Sequence, residues 1–319
     1  DTGAVSLDLP RLGQAAAYVE VAVQELSHFR GVEREASAGT ALYGRLNWDH
    51  EPLTLSLEGR RYRAFYPLRA HVDVGRASEF APVQYSAPPT SEDLFVDTLF
   101  EEFNTCVTGG RLRADVETSA RSSVFAWVGR HDTWGELGAT GRCDVRDENL
   151  NRVWDLAQGM ELTSPKRESY GNLTIGARFD TAAHPLSDEQ GQETHVYYRE
   201  LYLRHDVTFG LPGDMALQLQ AWHRRRRQTL GGPPEPWLQG QTVTALQLDA
   251  HWNVALGFEY DENPAFPDLY LNGQVRYDFE IGNVALFAGQ RQGGLRCVSG
   301  ICRVFPPFEG ARLDATLRF

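Results

Sequence analysis

Apolar and polar residues alternate with a period of two through most of this chain, and no other feature constrains its folding more. Near the end, Ala311, Leu313, Ala315, Leu317 and Phe319 form one set, and Arg312, Asp314, Thr316 and Arg318 the other. Over 269–279, Leu269, Leu271, Gly273, Val275, Tyr277 and Phe279 alternate with Tyr270, Asn272, Gln274, Arg276 and Asp278. The same pattern recurs over 17–24, 111–117, 172–180 and 252–260. Only an extended strand sends residues i and i+2 to one face and i+1 to the other. Helical spacing is nearly absent, so the chain reads as all-β.

Segment length separates two all-β architectures. A soluble sandwich also alternates, but its strands run about 5–6 residues. The segments here run about 9–13 residues, the length a tilted strand needs to cross a bilayer. Their polar faces carry charges of both signs, which fits a wet interior. A transmembrane helix would need roughly 18 consecutive apolar residues, and one of the most apolar stretches, Ala15 to Val23, is broken by Glu20. A 42% hydrophobic content suffices for strands that present one apolar face. The net charge of −12 argues against nucleic acid as a partner. The chain starts at Asp1 without a signal-like segment, which reads as a removed leader or a trimmed start.

The predicted fold is therefore a single transmembrane antiparallel up-and-down β-barrel over 1–319, with about 14 strands (a range of 12–16). The strand cores fall near 13–28, 38–49, 52–66, 107–118, 121–131, 151–163, 168–180, 195–209, 214–227, 238–250, 252–261, 267–280, 283–291 and 308–319. Short turns near Asp49–Glu51, Ser119–Ala120, Ser164–Arg167, Leu211–Asp214, Ala250–His251 and Ile281–Asn283 alternate with longer links. The long ones are 29–37, 67–106, 132–150, 181–194, 228–237 and 292–307, with a shorter one at 262–266. Bacterial barrels place short turns on the periplasmic side and long loops outside. With an even strand count, both chain ends fall on the short-turn side. Cys106 and Cys143 then lie in or beside neighbouring outer loops, and Cys297 and Cys302 share the last one. An even number of cysteines on an oxidising side implies disulfides. Three connectivities are open, and the loop positions favour Cys106–Cys143 and Cys297–Cys302.

The closing run Ala311-Arg312-Leu313-Asp314-Ala315-Thr316-Leu317-Arg318-Phe319 resembles the last strand of bacterial outer-membrane β-barrels of the porin-like class. That resemblance implies an outer-membrane location, contact with the bilayer and its lipopolysaccharide, and recognition of Phe319 by the barrel-assembly machinery. It implies no cofactor. On 252–260, an apolar band of Val254, Leu256 and Phe258 is bracketed by Trp252 and Tyr260, as an aromatic girdle requires.

If the apolar face meets lipid, the polar face lines the lumen. The pore-lining candidates are Glu20, Glu58, Arg60, Arg111, Arg113, Asp115, Glu117, Arg178, Asp180, Arg276, Asp278, Arg312 and Asp314. Their mixed signs allow cross-strand ion pairs and an ion-selecting field alike. Link 67–106 carries Pro82, Pro88 and Pro89, then a segment Ser91–Phe103 that reads as a short helix with Ser91 as N-cap. Its acids are Glu92, Asp93, Asp97, Glu101 and Glu102, and Leu94, Phe95, Leu99, Phe100 and Phe103 need burial. It is expected to narrow or plug the mouth, or to dock a partner. The run His223-Arg224-Arg225-Arg226-Arg227 is expected at the outer rim, as a site for lipid phosphate or another anion or as a solvated charged edge.

Catalytic signals are thin. Asp1-Thr2-Gly3 matches a short aspartic-protease motif once, at a terminus where fraying is expected. Glu25 and His28 have metal-site spacing only for a helix. GxSxG, HExxH and phosphate-loop motifs are missing. The leading expectation is a non-enzymatic channel for ions or small polar solutes. A structural barrel within an envelope-spanning complex and a membrane-embedded hydrolase are the alternatives. An open path, a blocked path with a co-purifying partner, and side-chain-dependent hydrolysis tell the three apart.

Overall fold

A computed structural model of the chain describes residues 2–30, 33–65, 69–74, 77–82, 106–134, 143, 150–164, 169–187, 193–228, 235–262, 269–291, 294–298, 301–305 and 308–317. In chain order the strands are β1 (Thr2–Leu12), β2 (Ala15–Arg30), β3 (Glu33–His50), β4 (Leu53–Arg63), β5 (Arg69–Val74), β6 (Ala77–Pro82), β7 (Val107–Ser119), β8 (Ser122–Trp134), β9 (Leu150–Thr163) and β10 (Tyr170–Ser187). They continue as β11 (Glu193–Gly210), β12 (Ala216–Gln228), β13 (Trp237–Gln247), β14 (Trp252–Asp261), β15 (Leu269–Phe279), β16 (Gly282–Arg291), β17 (Gly294–Val298), β18 (Ile301–Phe305) and β19 (Phe308–Leu317).

Fifteen of these form one antiparallel sheet in which sequence neighbours pair, in the order β1-β2-β3-β4-β7 through β16 and then β19. The remaining four make two separate hairpins, β5–β6 and β17–β18, inside the links read from sequence as 67–106 and 292–307. Among the described residues no strand crosses over another, so this is an all-β up-and-down wall, as the alternation predicted. Its first strand had not been anticipated. Pro10 interrupts the pattern of Val5, Leu7 and Leu9, and a proline inside a run argues against a central strand. Here the register with β2, its one partner among the described residues, shifts between Leu9 and Leu12, an irregularity that accommodates a residue without an N–H.

The extra strand corrects the placement of the chain ends. β1 starts at the long-link end of the wall, and β19 finishes at the short-turn end. Thr2 and Gly3 belong to β1, paired with Gln24 and Val23, rather than to a frayed terminus. The expected link 29–37 also shrinks. β2 and β3 stay paired as far as Arg30 and Glu33, so this hairpin extends well past the length of a bilayer crossing.

Register fixes the faces, because directly opposed residues share one face. Val5 opposes Val21, Leu7 opposes Val19, Val254 opposes Val275, and Leu286 opposes Leu313. These side chains are exposed: Val5 is 78% accessible, Leu256 65% and Leu313 69%. Such exposure over a whole wall is costly in water and favourable in lipid. At the short-turn end the same face carries Trp48, Phe209, Trp252 and Tyr277, and the Trp252 and Tyr277 ring centroids lie 4.7 Å apart. Tyr260 brackets the band at the other end, as the girdle reading required.

The short turns are locally built. Gly13 takes φ +68° in the two-residue turn between β1 and β2, a conformation that costs glycine no Cβ clash. Asp249 accepts the backbone N–H groups of His251 and Trp252 at 2.7 and 2.8 Å. Those donors hold its carboxyl below the usual carboxylate range.

Candidate functional site

The opposite face of the wall is polar, and all thirteen pore-lining candidates lie on it. Glu20 opposes Tyr43, which opposes Arg60; Glu58 opposes Arg111; Arg178 opposes Glu200; and Asp314 opposes Ala285, which opposes Arg276. Cross-strand ion pairs, which the mixed signs allowed, are present: Arg111 lies 3.2 Å from Glu58 and Arg113 3.9 Å from Glu161. Other charges pair along one strand, two residues apart. Arg113 grips Asp115 through Nε and Nη2 at 2.6–3.0 Å, and Arg178 grips Asp180 through Nε and Nη2 at 2.8 and 2.7 Å. Arg276–Asp278 and Arg312–Asp314 repeat the motif at 2.6 and 2.8 Å. A guanidinium laid along the strand reaches a carboxylate at i+2 on its own face, so Arg-x-Asp is the sequence signal.

Cross-strand bonds join these units into a network, and several of its members had not been singled out from sequence. Glu58 accepts Tyr43 OH at 2.7 Å and Arg111 Nη2 at 3.2 Å, bridging β3, β4 and β7. Asp155 accepts Trp127 Nε1 at 2.7 Å and Tyr202 OH at 3.2 Å. Glu200 accepts Tyr198 OH and lies 3.6 Å from Arg224. Gln239 accepts Arg224 Nε at 2.8 Å and Arg226 Nη1 at 2.9 Å, and donates to Asp261 at 2.9 Å. Arg226 also sits between the Tyr198 and Trp237 rings at 5.6 and 5.1 Å. Asp155 was legible by parity, since it lies between Trp154 and Leu156 of the apolar set.

Burial is graded along this face. Toward the long-link end Arg60, Tyr62, His131, Thr133, Asp180 and Tyr198 are buried. Toward the short-turn end Glu117 and Asp314 are exposed. The polar face is therefore more covered toward the long-link end of the wall than toward the short-turn end.

Part of that cover is the root of link 67–106. At Ala64 the chain turns with φ +48° and leaves β4 on the inner side. A Cβ on Gly39, which shares the inner face with Gln24, would lie 2.1 Å from the Ala64 carbonyl oxygen. Only glycine lets the backbones pass that closely. Phe65 follows, 1% accessible, with its ring 5.9 Å from Tyr62. Ala22, Ala41, Tyr62, Phe65 and Val107 form one buried apolar cluster.

The other root is tied to the same place. Cys106 and Cys143 form a disulfide, one of the two expected pairs, and the Ala64 N–H points at Cys143 Sγ at 3.0 Å. Both roots of the long link and the following loop thus meet at one covalent clamp. Removing it by Cys143→Ser opens a 37-residue loop, and resistance to unfolding is expected to fall by about 2–4 kcal/mol. A lower urea midpoint for the folded band in semi-native electrophoresis checks this. Cys297 and Cys302 are register partners in the β17–β18 hairpin; their side chains lie outside the described residues.

Also outside the described residues are Ser91–Phe103 with Glu92, Asp93, Asp97, Glu101 and Glu102, and the terminal Phe319. Among the described residues no group of three or more His, Cys, Asp or Glu side chains could hold a metal. Glu25 and His28 belong to a strand, β2, rather than to a helix, and the side chain of His28 lies outside the described residues.

No protein-family model matches the chain, and no curated protein matches it. Among solved structures, the chain is similar to BauA, the ferric preacinetobactin receptor of Acinetobacter baumannii, with 10% identity and a TM-score of 0.46. The alignment covers 99% of this chain and 60% of the receptor, so the chain spans about three fifths of that protein's length.

Proposed function

We propose that the chain forms a β-barrel wall in the bacterial outer membrane and conducts ions or small polar solutes along its charged inner face. In this reading link 67–106 narrows the outer mouth. The supporting observation is the segregation of faces: exposed Val, Leu and Ile line one side of the wall, and paired Arg, Asp, Glu and Tyr line the other. A bilayer stabilises the first face and a water-filled path the second. The inward turn at Ala64–Phe65 supports a constriction there, since it starts the link on the lumen side. The wall's edge strands, β1 and β19, run in the same direction. They meet either as a parallel pair or through an odd number of further antiparallel strands. The bilayer and its lipopolysaccharide are the proposed surroundings, and assembly through Phe319 the proposed route.

A sleeve within an envelope-spanning complex is the second reading. The burial of Arg60, Tyr62, His131 and Asp180 at the long-link mouth favours it. Conductance in planar lipid bilayers separates the two. The channel reading expects stable steps that grow when Ser91–Phe103 is deleted. Silence from both forms, with insertion confirmed, overturns it and favours the sleeve.

A further inference from the structure

Strand parity splits the run His223–Arg227. Arg224 and Arg226 belong to the inner wall, where both donate to Gln239. Arg225 and Arg227 lie on the outer face and are exposed. Arg227 is directly opposite Arg199 of β11, which is exposed too, and Arg225 is opposite Leu201. Three guanidiniums thus share one patch of the outer face.

None of the three makes an ion pair or hydrogen bond among the described residues. The contrast with β8 and β9 is instructive. There Arg130 and Arg152, also on the outer face, share Asp132 at 3.4 and 3.0 Å. On the β12 side, Glu262 of the same face lies beyond Leu238 and accepts its backbone N–H at 2.9 Å. Like charges directly opposed destabilise a strand pair unless something neutralises them.

Height decides what that is. Counted from Ala216 at the short-turn end, Arg225 is the tenth residue of β12 and Arg227 the twelfth. A tilted strand crosses the hydrocarbon in about 9–11 residues. The two therefore emerge at headgroup level on the long-link side, with Leu203 and Leu219 of the same face below them. The patch opens sideways toward lipid, with acyl-chain surface beneath it.

We propose that Arg199, Arg225 and Arg227 bind the phosphate of a lipid headgroup in that leaflet. Guanidiniums present forked donors that match phosphate oxygens, and the bond is charge-assisted. The inference rests on the membrane-barrel reading. The test uses the folded protein in a phosphate-free maltoside detergent, titrated with phosphatidate or with diacylglycerol of the same chains and followed by native mass spectrometry. Phosphatidate should be retained and diacylglycerol not. The double change Arg199→Gln with Arg227→Gln should weaken retention at least about tenfold. Arg224→Gln, on the other face, should leave it unchanged. If the double variant fails to fold by electrophoretic heat-modifiability, Arg225→Gln alone serves. Equal retention by the outer-face variants overturns the proposal, as does inorganic phosphate binding as tightly as phosphatidate. A wild-type chain that never inserts into bilayers defeats the barrel reading instead, so the two failures are distinct.

Discussion

Leu256→Arg is expected to destabilise the inserted wall by about 2–4 kcal/mol, the cost of an arginine at the bilayer midplane. Leu256 is the fifth of ten residues in β14 and 65% accessible. Its face continues through Thr244 and Gly273 on the neighbouring strands. Gln274→Arg places the same side chain at similar height on the inner face, opposite Ala255 and Phe287. There water solvates it, and the change should stay within about 1 kcal/mol. Urea titration of unfolding from lipid vesicles reads both. The sign of the difference is diagnostic. In a water-soluble sandwich, an exposed leucine replaced by arginine changes stability by only about 0.5 kcal/mol either way.

The second large effect concerns the inner wall. Asp180 is 0% accessible and Arg178 6%, and they are joined by two charge-assisted bonds, with the Arg178 guanidinium 5.3 Å from the centroid of the Tyr198 ring. Asp180→Leu leaves a buried guanidinium without its bidentate carboxylate. Breaking a buried pair in this way typically costs about 3–5 kcal/mol. Replacing both members, Arg178→Met with Asp180→Leu, removes the stranded charge and should recover most of that loss. The same vesicle unfolding assay applies. Equal losses for the single and double variants would show that packing, rather than the stranded charge, sets the cost.

How much of this was legible in the sequence depends on which interaction set it. Alternation placed all thirteen lumen candidates on one shared polar face, because strand parity is local and exact at two residues per repeat. Fourteen of the fifteen wall strands followed from the same signal. β1 escaped because Pro10 looks like a break until the register shift beside it is seen. The Cys106–Cys143 pair followed from loop order. The pairing of charges did not follow, since it depends on register and on rotamers that lay Arg along its own strand. The run His223–Arg227 read as one rim patch, although parity alone divides it between two faces. The inward turn at Ala64 had no signal beyond a glycine, Gly39, on a strand paired with the one it leaves.

The central claim is that the Val, Leu and Ile face touches lipid while the Arg, Asp and Tyr face touches water. Nitroxide labels test it most directly. Leu256→Cys and Gln274→Cys are each labelled in a background with Cys297→Ser and Cys302→Ser and reconstituted in bilayers. The account predicts that the label at 256 relaxes with lipid-soluble oxygen, and the label at 274 with a water-soluble nickel chelate. Water-like accessibility at both positions would contradict it.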